Sequence, residues 1–259
     1  MPALRHRAGR LRYRKIFCFH MLEIETGVDY WFETLSAQPL TFSLRAQHEN
    51  MKGPVRTGAV VFARLKTVHM SRLRRKSPAA WEYYFKYTYH PGRPDTAKPD
   101  PHAVYELPFA AGRSFRVTQG FKSSYTHKKL ESYAVDWGLP EGTPVHAARS
   151  GIVVGADGSS TSRKRGRGNF IWIRHADGTY GWYLHLKPGG VLVKAGQKVD
   201  VGKHIGYSGN TGKSTRAHLH FQVSIPTSGR YAFTTIPIRL RTADVIVSNI
   251  HTGDVHRRP

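Results

Sequence analysis

The segment Ala217-His218-Leu219-His220-Phe221 places two histidines one residue apart in an apolar, strand-like stretch. Side chains at positions i and i+2 of a strand point to the same face, so His218 and His220 share one face. One imidazole of such a pair can bind a metal ion while the other faces whatever the metal holds. Two ordinary strand histidines would give the same pattern, so other residues must decide between these readings.

Two more polar residues interrupt apolar strand-like runs, Asp136 in the run 134–137 and His185 in the run 183–186. A buried carboxylate costs several kcal/mol unless it is paired or bound to a metal. Taken singly, Asp136 could face water at a sheet edge or cap the following turn, and His185 could be a hydrogen-bonded core histidine. Three strands that each place a His or Asp among apolar residues together predict a site built on a β scaffold.

The chemistry that such residues support is metal-dependent hydrolysis. A hydrolytic zinc ion needs about three protein ligands and an open position for water, whose pKa it lowers to about 7. The chain has one cysteine, Cys18, which excludes an internal disulfide and a zinc-finger thiolate set. The ligands must therefore be His, Asp or Glu, and the residues by themselves indicate a zinc-dependent hydrolase.

The elements that must position these residues are β-strands. Residues 27–109 contain short β-rich runs, among them the aromatic run Trp81–Tyr89, and their spacing predicts a small β-sandwich. The second half repeats this pattern at 134–137, 151–154, 169–173 and 180–184, with the hairpin signal Asp177-Gly178 between the last two. The sequence predicts an all-β protein.

Several motifs of the second half, in order and near the same spacing, resemble the lysostaphin/LytM-type zinc metallopeptidases. They are YAVDWGLPEGTPVHAARSGIV at 133–153, GNFIWIRHADGT at 168–179, YLHL at 183–186, GNTG at 209–212 and HLHF at 218–221. The resemblance covers about residues 115–226. It implies an antiparallel β domain with a groove floored by one sheet. It also implies one Zn²⁺ ion held by a His, an Asp and the second His of the His-x-His pair.

Carried over to this chain, the resemblance makes Asp136 and His220 zinc ligands. It makes His185 and His218 a catalytic pair that does not bind the metal. One of the two would orient or deprotonate the water, and the other would stabilise the oxyanion of the tetrahedral intermediate. The residues do not assign these two roles individually.

The first ligand of the family pattern is missing from its usual place. Family members carry this histidine four residues before the aspartate, and here that position is Ser132, a poor zinc ligand. The nearest upstream histidine is His127. Some family members resemble this chain in having a longer loop that follows a Gln-Gly-Phe turn, here Gln119-Gly120-Phe121. We therefore assign His127 as the third ligand; without it the site would have two protein ligands and be inactive.

The resemblance divides the chain into four predicted segments. They are a basic N-terminal segment 1–26, an N-terminal β domain 27–102, a zinc metallopeptidase domain 103–241 and a C-terminal tail 242–259. The N-terminal β domain is also similar to the accessory domain that precedes the peptidase in some Gram-negative members. The first segment could be a disordered basic arm, and the polar tail is expected to be loosely ordered.

The leading hypothesis is a zinc metalloendopeptidase that hydrolyses peptide cross-links of bacterial peptidoglycan, its expected partner. The alternative is an inactive family member that binds the cell wall or activates other hydrolases, which Ser132 keeps open. A third hypothesis, nucleic-acid binding, rests only on the net charge of +23. The basic loop 163–167 has no interleaved aromatic residues, so no specific nucleic-acid partner is expected.

Location follows from the same hypothesis. The expected site of action is the bacterial cell envelope, periplasmic or secreted, where a basic surface would favour an anionic wall. No apolar run is long enough to span a bilayer, so no transmembrane segment is predicted. The apolar patch at 16–19 is too short for a signal peptide, which is not evident in this chain.

Overall fold

The fold is that of a computed structural model, which describes residues 9–13, 16–36, 38–54, 59–62, 66–163 and 166–259. It separates into two compact units. The first comprises Met1–Asp95 and Pro226–Phe233, and the second comprises Thr96–Ile225 and Thr234–Pro259. Almost all regular structure in the described residues is β, and it is mostly antiparallel, which confirms the predicted fold class.

The first unit contains eight strands among the described residues. They are β1 (Gly9–Tyr13), β2 (Phe17–Ile24), β3 (Gly27–Thr34), β4 (Leu40–Glu49), β5 (Met51–Lys52), β6 (Ala59–Phe62), β7 (Thr67–Arg75) and β8 (Glu82–Pro91). The predicted aromatic strand is β8. The predicted strand at 60–65 agrees with β6 as far as residue 62, and residues 63–65 lie outside the described part of the chain.

Two antiparallel sheets, β1-β2-β3-β7-β5 and β6-β4-β8, make up the first unit. Aromatic side chains join them: the rings of Phe32 and Phe42 lie 4.1 Å apart, and those of Tyr30 and Phe85 lie 4.9 Å apart. This is the packing expected of a β-sandwich. The β domain begins before residue 27. Phe17 of β2 is buried in the same core, and β2 pairs with β3. A disordered arm is therefore wrong for the described residues 9–13 and 16–26 of this segment.

In the described residues, a 3-10 helix, η1 (Pro94–Thr96), lies at the chain boundary of the two units, and the second unit contains one more, η2 (Lys129–Glu131). Fourteen strands follow η1 in the described part of the chain. They are β9 (Val104–Glu106), β10 (Ser114–Gln119), β11 (Ala134–Trp137), β12 (Pro144–His146), β13 (Gly151–Asp157), β14 (Asn169–Arg174), β15 (Tyr180–Leu186), β16 (Lys198–Val199), β17 (His204–Tyr207), β18 (Leu219–Pro226), β19 (Phe233–Thr235), β20 (Arg239–Arg241), β21 (Ile246–Val247) and β22 (Val255–Arg257). No helix in the described residues has the length and apolarity that a membrane crossing requires.

One large sheet organises the second unit, in the order β16-β13-β14-β15-β18-β11-β10-β22, with β19 paired to β18. Smaller sheets are β12-β17 and β21-β20-β9, and the β20–β9 pair is parallel. Strands β14 and β15 form the predicted hairpin, but its loop has five residues, 175–179, because Arg174 pairs with Tyr180. Gly178 supplies the left-handed backbone conformation in this loop, with φ 76°.

The register of the central strands separates a core face from a site face. Val135 of β11 lies opposite Phe221 of β18, and both are fully buried in the hydrophobic core. Asp136 lies opposite His220, and these two side chains point to the other face of the sheet. The strands therefore bury their apolar residues on one face and present chemistry on the other.

The C-terminal tail differs from its expectation. Strand β22 pairs with β10, with Phe115 opposite His256, and both Ile250 and His256 are buried. The polar composition suggested loose order, but a few apolar and aromatic contacts anchor this segment. The indole nitrogen of Trp137 lies 3.3 Å from Nδ1 of His256, which ties the tail to the core.

Candidate metal centre

The candidate centre begins with two residues on neighbouring strands. Asp136 on β11 and His220 on β18 are opposite each other in the antiparallel register, and His220 Nδ1 lies 2.8 Å from Asp136 Oδ1. Both side chains are more than nine-tenths buried. Because the pairing of two strands fixes their positions, this half of the centre depends only on the sheet.

His127 completes the group from a loop. It lies between β10 and η2, and its Nε2 is 3.3 Å from Asp136 Oδ2. One potential ligand atom from each of His127, Asp136 and His220 can be chosen so that all three lie within 4.8 Å of one another. The structure thus brings together the three residues that the sequence assigned as ligands.

Hydrogen bonds on the far sides of the two rings decide which nitrogen faces the centre. His127 Nδ1 lies 2.9 Å from the carbonyl of Gly120, which can only accept, so Nδ1 carries the proton and Nε2 keeps its lone pair. His220 Nε2 lies 3.0 Å from Oε1 of Gln222, which leaves Nδ1 for the centre. Carbonyl partners of this kind orient histidine ligands in metal sites.

The group fits a zinc ion. His127 Nε2 is fully buried without a hydrogen-bond partner among the described residues, and the buried Asp136 Oδ1 faces His220 Nδ1. An unpaired buried polar atom costs free energy, which an ion would recover. Two imidazoles and one carboxylate are a donor set that zinc uses in catalytic sites. His127 Nε2 lies 3.3 Å from Asp136 Oδ2 and His220 Nδ1 lies 2.8 Å from Asp136 Oδ1, so the three side chains are close enough to share one ion.

The electrostatics of the pair favour an ionised carboxylate. Burial alone would raise the pKa of Asp136, but the charge of His220 beside it outweighs this and holds the pKa well below its usual range. Burial would likewise lower the pKa of His220, and the Asp136 carboxylate raises it to about 9 instead. In the absence of metal, a proton on His220 therefore neutralises the buried carboxylate at neutral pH.

His185 reaches the same face through a β-bulge. Its neighbours Leu184 and Leu186 pair with Phe170 and Asn169, so His185 is the extra residue in the β14–β15 ladder. It has φ 64°, a left-handed conformation that is uncommon outside glycine. Simple alternation would turn His185 to the core face, away from Leu184, and the bulge turns it toward His220, with 5.9 Å between the ring centres.

A carbonyl fixes the tautomer of His185 too. Its Nδ1 lies 2.7 Å from the carbonyl of Thr211, which leaves Nε2 without that proton. Burial, followed by the nearby His218 and His220, lowers the pKa of His185 to about 3. The ring is therefore neutral at physiological pH.

His218 lies on the open side of the centre. Its Nε2 is 3.9 Å from Asp136 Oδ2, its ring centre is 4.7 Å from that of His185, and its side chain is 15% exposed. Its Nδ1 lies 2.8 Å from the carbonyl of Arg216 and 3.2 Å from the hydroxyl of Ser214. This arrangement leaves Nε2 of His218 facing the carboxylate on a partly exposed side chain.

Comparison with known proteins identifies the family to which the second unit is similar. Residues 131–231 match the model described as peptidase family M23. The chain carries an M23 peptidase domain. This confirms the resemblance to the lysostaphin/LytM type. The matched residues of the M23 domain include Asp136, His185, His218 and His220, whereas His127 lies before them.

Among proteins similar to the M23 domain is the peptidoglycan DD-endopeptidase ShyA of Vibrio cholerae, 36% identical over 115 residues. Lysostaphin of Staphylococcus simulans is 45% identical over 91 residues. These matches cover 43% and 35% of this chain but only 25% and 17% of the two relatives. The crystallised catalytic domain of lysostaphin is 32% identical, with a TM-score of 0.36, over 48% of this chain and 87% of that domain.

Ser132, at the position where the family pattern has a ligand histidine, takes no part in the ligand group of the M23 domain. Its hydroxyl donates to the carbonyl of Lys129 at 2.8 Å and ends the short helix η2. Sequence reasoning missed Gln222, which orients His220. The strand period could have found it, since residues 220 and 222 lie on one face.

A second group of potential ligands lies outside the M23 domain. Atoms of Cys18, His20 and Glu33 lie within 4.8 Å of one another in the first unit. His20 Nε2 and Glu33 Oε2 already pair at 2.8 Å, and both side chains are about one-third exposed. This group has the character of a surface ion pair beside a buried cysteine.

Proposed function

We propose that this chain is a zinc-dependent metalloendopeptidase that hydrolyses peptide cross-links of bacterial peptidoglycan. The observation that carries the proposal is the buried group of His127, Asp136 and His220, in which His127 Nε2 lacks a hydrogen-bond partner among the described residues and the far nitrogen of each ring lies on an oxygen acceptor. Beside it stand two further imidazoles with fixed tautomers, His185 and His218. A structural metal site has no need of that second pair.

The relatives support the choice of substrate. ShyA is named a peptidoglycan DD-endopeptidase, and a protein of Neisseria meningitidis that is 38% identical over 91 residues is named a DD-carboxypeptidase/endopeptidase. Because these matches cover a quarter or less of the relatives, the activity is proposed here for the M23 domain of this chain. We further propose that it acts in the bacterial envelope, where that polymer lies.

The residues of this chain divide the work between metal binding and proton handling. His127 Nε2, a carboxylate oxygen of Asp136 and His220 Nδ1 would hold the ion. When bound, zinc supplies Lewis-acid activation of water and of a peptide carbonyl. Asp136 is ionised and buried, so it balances part of the charge of the ion.

His185 and His218 handle protons and developing charge. Each keeps its Nδ1 proton on a backbone carbonyl, so Nε2 is the atom that can accept a proton or, once protonated, donate a hydrogen bond. One ring would take the proton of the attacking water, and the other would stabilise the oxyanion of the tetrahedral intermediate. Burial keeps His185 neutral, which preserves its accepting nitrogen.

The test is digestion of purified peptidoglycan by the full chain, with products identified by mass spectrometry. We expect soluble muropeptides with broken cross-links, no digestion after treatment with a chelator, and recovery after addition of zinc. His220→Ala should abolish both zinc binding and hydrolysis. His218→Ala should keep about one zinc ion per chain but lose about 100-fold or more of the rate, because a positioned acid or base contributes that much.

His102→Ala is the control, since this histidine is exposed and lies outside the centre. It should digest peptidoglycan as the wild type does. Digestion that persists in the chelated protein and in His220→Ala would refute the proposal. A wild type that holds zinc but cleaves nothing would instead support the inactive wall-binding alternative.

A further inference from the structure

We propose that Gln119 is the positioning residue that couples the loop carrying His127 to Asp136 and so makes them one metal-binding unit. This inference rests on the proposed zinc site. Gln119 is the last residue of β10, pairs with β11 opposite Asp136, and is half-buried. It belongs to neither the ligand set nor the catalytic pair.

The two ends of the Gln119 amide contact different parts of the centre. Its Nε2 donates to Asp136 Oδ2 at 2.6 Å. Its Oε1 accepts from the backbone N–H of Thr126 at 3.2 Å and from the hydroxyl of Thr126 at 2.9 Å. Thr126 directly precedes His127. One side chain therefore connects a carboxylate on the sheet with the residue beside the loop histidine.

The chemistry of the partners fixes the orientation of the amide. The backbone N–H of Thr126 can only donate, so the amide end that meets it must be the oxygen. The nitrogen then faces Oδ2 of the Asp136 carboxylate at 2.6 Å, an oxygen that can accept its hydrogen bond. With the amide reversed, a donor would face a donor and an acceptor would face the carboxylate. Gln119 thus joins the Asp136 carboxylate, which requires the amide nitrogen, to the Thr126 N–H, which requires the amide oxygen.

The loop between Gln119 and His127 needs such a connection. Its tip is in solvent, where the side chain of Tyr125 is 73% exposed. Its start is held because Phe121 N–H donates to the carbonyl of Ile250, and a Cβ on Gly120 would meet that carbonyl at 2.3 Å. Its end is held by the contacts of Thr126 with Gln119 and of His127 with the Gly120 carbonyl.

These contacts explain how a ligand nine residues before Asp136 can replace one four residues before it. When the histidine lies only four residues before the aspartate, the backbone itself brings the imidazole to the carboxylate. Here the loop would be free to move at its end, and ordering it costs conformational entropy. Gln119 fixes the end of the loop before metal arrives. It also holds Asp136 through Oδ2, while Oδ1 faces His220 Nδ1 at 2.8 Å.

The experiment measures zinc affinity of the full chain by competition with a chromophoric chelator. Gln119→Leu removes all three side-chain hydrogen bonds at similar volume, and Thr126→Val removes only the hydroxyl contact. Gln197→Leu makes the same change on a turn outside the centre, where the glutamine side chain accepts from the N–H of Lys194. Removing a group that orients metal ligands typically weakens metal binding about 10–100-fold.

We expect Gln119→Leu to bind zinc about 10–100-fold more weakly, Thr126→Val to fall between it and the wild type, and Gln197→Leu to match the wild type. The visible spectrum of the Co²⁺-substituted protein should change in Gln119→Leu, because Asp136 loses the hydrogen bond that orients it as a ligand. A merely structural role would lower thermal stability of the metal-free protein and leave both readouts unchanged. Zinc affinity of Gln119→Leu within twofold of the wild type would overturn the inference.

Two further readouts keep the result decisive. If Gln119→Leu fails to fold, Thr126→Val carries the test, and unchanged zinc affinity in it would overturn the inference. If the wild type binds no zinc, the proposed function fails, and hydrogen exchange of the Thr126 amide then tests Gln119 alone. That amide should be protected in the wild type and not in Gln119→Leu; equal exchange in both would overturn the inference.

Discussion

At the scale of single residues, the centre is defined by where the imidazole protons lie. Each of its four rings has one nitrogen on a carbonyl oxygen, which leaves the opposite nitrogen to face the centre. The acceptors are the backbone carbonyls of Gly120, Thr211 and Arg216 and the amide oxygen of Gln222. Fixed tautomers remove the entropy and rearrangement that a metal or substrate would otherwise have to overcome.

A histidine outside the centre gives a pH prediction. His175 is buried, its Nδ1 lies 2.9 Å from the carbonyl of Ser150, and Nε2 has no hydrogen-bond partner among the described residues. Burial lowers its pKa from 6.5 to about 4. Between these values the unfolded chain binds more protons than the folded one, so the contribution to stability is present above pH 6.5 and is lost as pH falls toward 4.

The expected size is about 3 kcal/mol, because one pKa unit corresponds to about 1.4 kcal/mol. Urea unfolding at pH 7 and pH 4 should therefore show that the wild type loses about 3 kcal/mol more than His175→Asn. The exposed His102→Asn is the control and should lose as much as the wild type. An equal loss in His175→Asn and wild type would show that His175 is protonated in the folded protein.

At the scale of elements, one glycine pair positions the bulged His185. Gly168 and Gly212 approach each other so closely that a Cβ on Gly212 would meet the backbone nitrogen of Gly168 at 2.3 Å. Between them lies Thr211, whose carbonyl holds the His185 ring and whose hydroxyl accepts from Asn169 N–H at 2.8 Å. Crowding at this point should displace the carbonyl and misalign the histidine.

The variant Gly212→Ala tests this role of the Thr211 carbonyl, and Gly196→Ala is the control. Both glycines have left-handed backbone, φ 83° and 90°, so both variants carry the same conformational cost of about 1–2 kcal/mol. Only Gly212 is crowded, since nothing lies within 4 Å of a Cβ at Gly196. We expect Gly212→Ala to lower thermal stability further and to reduce hydrolysis about 100-fold, as a misplacement of about 1 Å can. Equal activity of the two variants would contradict this role for the Thr211 carbonyl.

The same elements explain what the sequence could predict. Alternation along a strand was enough to put His218 and His220 on one face, and an acid in an apolar run was enough to mark Asp136. Alternation could not orient His185, because its bulge depends on pairing with β14. The contacts that return His127 to the sheet involve Gln119 and residues near 250, which local patterns do not connect. For the same reason the tail looked loosely ordered, although β10 pairs with β22.

At the scale of the whole molecule, the net charge of +23 predicts how the protein would bind peptidoglycan, its proposed substrate. Attraction between exposed charges is screened by salt, with a Debye length of about 10 Å at 0.1 M and about 3 Å at 1 M. Binding of the protein to intact sacculi should therefore weaken by on the order of tenfold or more over this range. Cosedimentation measures it, and chitin, a neutral polymer, is the control. A bound fraction that does not change with salt would contradict a role for charge.

We propose that a loop histidine, His127, completes the metal centre. The most direct measurement is zinc content per chain, determined by elemental analysis after dialysis, in the wild type, His127→Ala and Ser132→Ala. A lost ligand should release the ion, because binding depends on the whole ligand set. We predict about one ion per chain in the wild type and in Ser132→Ala, and almost none in His127→Ala. Zinc retained by His127→Ala but lost from Ser132→Ala would contradict the account.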